Sequence, residues 1–248
     1  MLKAVKSTIF RLLQWTPYEV RRRLPSSTFE AVRLAVAHHA CRNPGGTILQ
    51  VGAFDGRSGD PLSAFLRAGG ARAILVEPIE ENFRMLQRTY DSVGGITLVQ
   101  AAIARGDGVA TMYRAASAGR WQGDPWVGQI ASFDRRHLLK HGVRRGEIEA
   151  VVVPALSLAS VLDRCGAESL AFLQVDAEGF DAEVVGMALA LPATPDFINF
   201  EHLHLGRRQV ADVCRSLERH GYGWIHGACD TLAIHERVAA PVTEGPRP

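Results

Sequence analysis

The 248-residue chain has only four cysteines, at positions 41, 165, 214 and 229, and no Cys-x-x-Cys pair. Cysteines so dispersed do not build a zinc ribbon or the disulfide framework of a small secreted domain, and a reducing cytoplasm suits them best. Long apolar runs are missing too: none approaches the roughly 20 residues that a membrane-spanning helix needs. A cleavable leader is not expected, because Arg11 interrupts the N-terminal apolar stretch and no small-residue cleavage site follows. The formal charge is +2, too close to zero to imply a general affinity for nucleic acid. Internal repeats and low-complexity stretches are absent.

What remains is 47% hydrophobic, enough for one sizeable core. The expected organisation is an N-terminal helical appendage (1–45), a main domain (46–240) and a flexible tail (241–248). Basic residues crowd the start: Lys3, Lys6, Arg11 and Arg21–Arg23 face only Glu19 across the first 25 positions. Leu2, Val5, Ile9, Leu12 and Leu13 near helical spacing describe a basic amphipathic helix. Such a helix either packs on the domain or lies on an anionic membrane surface, which would place a cytoplasmic protein at the inner membrane face.

Ser27 and Glu30 make a capping-box pattern opening a helix to about Ala40. Strands and helices then alternate. Strands are expected at 47–52, 73–76, 96–103, 109–113, 150–153, 170–175 and 197–200. Helices are expected from Asp60 (with Asp60-Pro61 as N-cap and first turn) to Gly69, over Glu80–Tyr90, Ser157–Cys165, Asp181–Ala190 and Arg207–His220. Strands separated by helices imply a parallel sheet covered on both faces. The last two, Tyr222–His226 and Thr231–His235, are too close for a helical crossover and should pair antiparallel. Residues 114–130 have no period and read as a long loop, in which Trp121 and Trp126 either cover a substrate or simply pack.

Chemistry concentrates at strand ends. Gly52 and Gly56, within Gln50-Val51-Gly52-Ala53-Phe54-Asp55-Gly56, let the backbone approach a ligand at the carboxyl edge of the sheet. Their Gly-x-x-x-Gly spacing is not the Gly-x-Gly-x-x-Gly of dinucleotide sites. Glu77-Pro78 closes the next strand, about 20 residues on, where a carboxylate accepts hydrogen bonds from ribose hydroxyls. An anion there suits a sulfonium better than a pyrophosphate. Together the two features point to an adenosyl cofactor. The third signal is acidic: Asp176-Ala177-Glu178-Gly179-Phe180-Asp181 ends one strand and Glu201-His202-Leu203-His204 ends the next. Asp176, Glu178 or His202 is a candidate base for taking a proton from a hydroxyl. Alternatively a divalent ion such as Mg2+, held by Asp176, Glu201 and a third ligand, acidifies that hydroxyl. Asp181 also suits a helix N-cap. His204 reads as structural, and His38, His39, His137, His141, His220, His226 and His235 as surface or satisfied core residues.

Taken together these motifs resemble the FkbM family of S-adenosylmethionine-dependent O-methyltransferases, over roughly residues 47–205 with a weaker tail to about 236. The carrying residues are Gln50, Gly52, Ala53, Asp55 and Gly56 with Asp60-Pro61-Leu62, then Glu77-Pro78 with Asn82-Phe83. Ala101-Ala102-Ile103, Ser132-Phe133-Asp134, Gln174 to Asp181 and Phe200-Glu201-His202 follow. Phe54 departs from the family's usual Asn. The resemblance implies a Rossmann-like class I fold with a mostly parallel seven-stranded sheet, an antiparallel last strand and helices on both faces. It implies that Gly52 to Gly56 hold the methionine end of the cofactor, Glu77 the ribose, and Ala101-Ala102 the adenine, with Ser132 and Asp176 also in the cofactor site. The implied substrate is a hydroxyl on a sugar, glycan or secondary metabolite. Amine methylation of nucleic acid is disfavoured, since Asp-Ala-Glu-Gly stands where (Asn/Asp)-Pro-Pro-aromatic would. The alternatives are a nicotinamide-dependent oxidoreductase on the same fold and a non-catalytic adaptor docking on membranes or a synthase. A homo-oligomer stays open.

Overall fold

The computed structural model describes residues 26–42, 46–69, 71–116 and 125–239. The basic N-terminal segment, Trp121 and the tail lie outside the described residues. Seven strands form the main sheet: β1 (Gly46–Val51), β2 (Arg72–Val76), β3 (Ile96–Val99), β7 (Ser169–Val175), β8 (Phe197–Glu201), β9 (Tyr222–His226) and β10 (Asp230–His235). Their order is β3-β2-β1-β7-β8-β10-β9. Only β10 runs against its neighbours, pairing antiparallel with both β8 and β9. This is the Rossmann-like class I methyltransferase arrangement expected above.

The apolar runs of these strands follow from burial on both faces. Leu49, Val51, Leu173, Val175, Ile198 and Phe200 face one core, with Val184 and Val185 of the helix Asp181–Leu189 and Val213 and Leu217 of the helix Arg207–Arg219. Ile48, Leu75 and Phe172 face the other, with Leu86 and with Phe29 and Ala37 of the helix Ser26–Arg42. That helix therefore belongs to the core packing of the domain. Ser27 lies within it and does not cap it.

Two further expectations need correction. The third strand does not run through to Ile103: the chain leaves the main sheet after Val99, and β4 (Ala102–Ile103) joins β5 (Gly108–Ala115) and β6 (Ile148–Leu156) in a second, three-stranded sheet. The eight-residue antiparallel β5–β6 ladder supplies partners for Ala102 and Ile103 that the edge of the main sheet cannot. The helix expected from Asp60 begins only at Ser63, and Asp60 bonds the Leu62 N–H at 2.8 Å from the turn before it. Among the described residues no helix is long and apolar enough to cross a membrane.

Candidate functional site

The carboxyl ends of β1, β2 and β7 open into a cleft of about 910 Å³ including its mouth, lined by Gln50, Gly52, Phe54, Asp60, Glu77, Pro78, Ala101, Ala102, Asp176 and Glu178 among others. Its floor is set by close packing of two loops. Gly52 has φ +79, its N–H and that of Ala53 both donate to the Val76 carbonyl at 3.0 Å, and the Asp176 N–H donates to the Val51 carbonyl at 3.0 Å. A Cβ at Gly52 would stand 1.8 Å from the Asp176 carbonyl oxygen, so only glycine permits this approach. Gly56 is confined less severely, by the Tyr90 and Leu86 side chains at 2.5 and 2.8 Å from where a Cβ would stand.

Asp55 does not reach the cleft. It accepts from the Arg57 and Ser58 N–H groups at 2.8 and 2.7 Å and from the Ser58 hydroxyl at 2.7 Å, shaping the turn. Partial burial opposes ionisation there, but these bonds outweigh it and hold the carboxyl below its ordinary value. Phe54 is left-handed (φ +47), a conformation that asparagine tolerates and a bulky residue does not. Its ring sits against Gly128 of the short helix Pro125–Gln129.

Glu77 is the buried anchor. Oε2 accepts from the Phe54 N–H at 3.0 Å, and Oε1 from the Ile79 N–H at 2.9 Å and Asn82 Nδ2 at 3.2 Å. Burial pushes its carboxyl up to about 7 in spite of these donors. Three of its roughly four acceptor positions are filled by protein, leaving Oε2 one for a ligand hydroxyl. Across the cleft, Gln50, Gln174 and Asn199 stand in register on β1, β7 and β8, all buried. Asn199 Nδ2 donates to Gln174 Oε1 at 3.1 Å. Gln50 Oε1 and Asp60 Oδ2 are buried with no hydrogen-bond partner among the described residues.

The acidic strand ends meet as their registers require. Asp176 borders the cleft with its side chain exposed to it; the protein packed around it, then Glu178, Asp181, Asp230 and Glu77, raises its carboxyl above the ordinary range. Glu201 at the end of β8 is pushed up to about 9 by burial and then by Asp176. Asp181 is not the N-cap, a place Phe180 takes. It is the first residue of its helix, wholly buried, and accepts from the Ala177 and Gly179 N–H groups at 3.3 and 3.2 Å, so it closes the loop on itself. Burial places it at about 7. Ser132 holds the same loop from outside the cleft, donating to the Glu178 carbonyl at 2.8 Å.

His202 does not line the cleft. Its Nδ1 lies 2.9 Å from the Thr231 hydroxyl, which also contacts His226 Nδ1 at 2.8 Å. Glu178 instead meets histidines that the sequence reading set aside. His137 Nε2 is 2.6 Å from Glu178 Oε2, His204 Nε2 is 3.8 Å from that oxygen and 3.4 Å from Glu201 Oε2, and the His141 ring packs on both histidines. Burial, and neighbouring imidazoles with it, holds His141 and His204 below the usual histidine value. Among the described residues His137, His141, Glu178 and His204 form the group of three or more such side chains whose donor atoms all lie within 4.8 Å of one another, and Asp176 and Glu201 are not part of it. The one signal in the sequence was the His137-x-x-x-His141 spacing. Arg33 was also missed: buried in the first helix, it pairs with Glu30 and lies 3.8 Å from Asp230.

Several solved methyltransferases align with the chain at low identity. The methyltransferase FkbM from Methylobacillus flagellatus KT aligns at 12% identity and a TM-score of 0.45, over 76% of this chain and 43% of that one, so this chain spans under half its length. A human methyltransferase 10 domain containing protein aligns at 11% identity and 0.42, over 94% and 96% of the two chains. The METTL16 MTase domain aligns at 9% and 0.47, over 94% and 78%. No curated protein gives a match. The methyltransferase FkbM domain pattern matches residues 50–223, from the first glycine loop to the start of β9 and well over half the sequence. The chain belongs to the FkbM methyltransferase family.

Proposed function

We propose that the chain transfers a methyl group from S-adenosylmethionine to a hydroxyl of a sugar, glycan or related metabolite. The residues present fit the cofactor. The unpartnered Gln50 Oε1 and Asp60 Oδ2 are acceptors suited to an ammonium group, the free Glu77 position is suited to a ribose hydroxyl, and the small side chains of Ala101 and Ala102 leave room for a flat base. When bound, the cofactor supplies an electrophilic methyl on a sulfonium.

The observation carrying the acceptor class is Asp176, a carboxylate with raised proton affinity bordering the cleft. A hydroxyl attacks poorly until its proton leaves, and a placed base typically contributes about 10²–10⁴ in rate. In this reading an Asp176 carboxylate oxygen takes the acceptor proton as the O–CH₃ bond forms and the S–CH₃ bond breaks, and Glu178 orients the acceptor. The family assignment sets aside the nicotinamide alternative. Calorimetry tests the cofactor half: wild type should bind S-adenosylmethionine, and Glu77→Ala should bind far more weakly. Methyl transfer to a panel of sugars tests the other half. Transfer to an amine alone, or transfer undiminished by Asp176→Asn, defeats the reading.

A further inference from the structure

We propose that His137, His141, His204 and Glu178 form a binding site for one divalent transition-metal ion of the zinc class. The four side chains come from three separate segments: the helix Arg135–Lys140 with its following residue, the loop after β7, and the loop after β8. The ring centroids of the three imidazoles lie 4.6, 4.7 and 4.9 Å apart, and the four donor atoms all fall within 4.8 Å of one another. A tetrahedral ion with bonds near 2.1 Å sets its ligands roughly 3.4 Å apart, so side-chain rotation by about an ångström closes the shell.

Glu178 supplies an independent sign. It holds φ +47, which side chains other than glycine, asparagine and aspartate rarely adopt. Ser132 fixes it there through the Glu178 carbonyl, and in that pose Oε2 points at two of the three imidazoles. The donor set selects the ion. Imidazole nitrogens with one carboxylate suit zinc, cobalt or nickel, whereas magnesium and calcium want oxygen throughout. The opposing charge is Lys140, and the Glu178 carboxylate of the same cluster acts against it. Four protein ligands make a closed shell, the form of a structural ion. Such an ion would pin the rim helix to both acidic loops, fixing Glu178 at the edge of the cofactor cleft.

The test uses the full chain, stripped with a chelator, exchanged into metal-free buffer and titrated with Zn²⁺ and Co²⁺. We expect one ion per chain, a rise in melting temperature with Zn²⁺, and a Co²⁺ visible spectrum of low-coordinate type. His141→Gln and the double variant His141→Gln/His204→Gln should weaken Zn²⁺ binding by more than about tenfold, while His220→Gln, at an exposed position, should not. Substoichiometric binding, a hexa-aqua Co²⁺ spectrum, or equal affinity in all variants overturns the site. Circular dichroism on each variant separates lost ligands from lost fold. S-adenosylmethionine calorimetry on the same metal-free protein separates failure of this site from failure of the proposed function.

Discussion

Replacing Gly52 with alanine should disable the cofactor cleft while leaving the fold intact. Its φ of +79 disfavours any side chain, at a cost of about 1–2 kcal/mol. The added Cβ would also sit 1.8 Å from the Asp176 carbonyl oxygen, against a contact distance of roughly 3.2 Å. Backbone must therefore move by about an ångström where Gly52, Ala53 and Asp176 each donate a 3.0 Å hydrogen bond. Losing one or two of these adds about 0.5–1.5 kcal/mol each. The total, roughly 2–5 kcal/mol, corresponds to a fall in melting temperature of about 4–20 °C for a chain of this size. Gly69→Ala is the matched control. Its φ is +80 and nothing stands within 4 Å of the new Cβ, so it should cost the conformational part alone. Thermal melts of both variants, with calorimetric titration of S-adenosylmethionine, decide the matter. If Gly52→Ala costs no more than Gly69→Ala and binds the cofactor like wild type, the close-approach argument is refuted.

Glu77 and Asp181 both titrate at about 7 in the folded state, above their ordinary values near 4.5 and 3.8, because both are buried. Between roughly pH 4 and 7 the folded chain keeps protons that the unfolded chain releases. These groups therefore make stability fall as pH rises, by on the order of 3–4 kcal/mol each. Urea unfolding at pH 5 and 7.5 should show a smaller fall in Asp181→Asn than in wild type, and equal falls would refute the assignment. Ser132→Ala removes the donor to the Glu178 carbonyl, so it should cost about 1 kcal/mol and weaken cofactor binding severalfold, read by melting and calorimetry. Phe54→Asn should raise the melting temperature by about 2–4 °C through relief of left-handed strain, and an unchanged or lower value in thermal melts would refute the strain argument.

How much was legible follows from where the information lies. The buried strands announce themselves because both faces are covered, and the short spacer between β9 and β10 allowed only an antiparallel pair. The glycine loop and Glu77 were readable because strand, turn and second-strand tip keep fixed separations in any sheet of this kind. Helix starts were less so: Asp60 and Asp181 have the side chains of N-caps, but each is spent bonding loop N–H groups one turn away. The Ala102–Ile103 strand was assigned to the wrong sheet, since its partner lies some fifty residues downstream. His204 and Glu178 could not be joined to His137 from sequence, because only tertiary packing brings the helix Arg135–Lys140 over the ends of β7 and β8.

The acidic rim leads to a last prediction. Asp176, Glu178, Asp181 and Glu201 crowd two adjacent strand ends, and four charges there would repel one another strongly. The structure answers three of them locally: two N–H groups and a raised value near 7 for Asp181, His137 against Glu178, and a retained proton for Glu201 at about 9. Asp176 has no such partner among the described bonds. Enclosure by the surrounding protein and its acidic neighbours raise its proton affinity, although its side chain is exposed at the cleft. A sulfonium beside it favours the charged form, so binding should lower that proton affinity and favour the ionised carboxylate, the form a base needs. Measured at several values between about pH 5 and 7.5, the calorimetric heat of S-adenosylmethionine binding should then vary with the ionisation enthalpy of the buffer in the direction of proton release. Asp176→Asn should abolish most of that slope. A flat dependence in wild type at every pH would mean that cofactor binding leaves the protonation of Asp176 unchanged, and the proposed coupling fails.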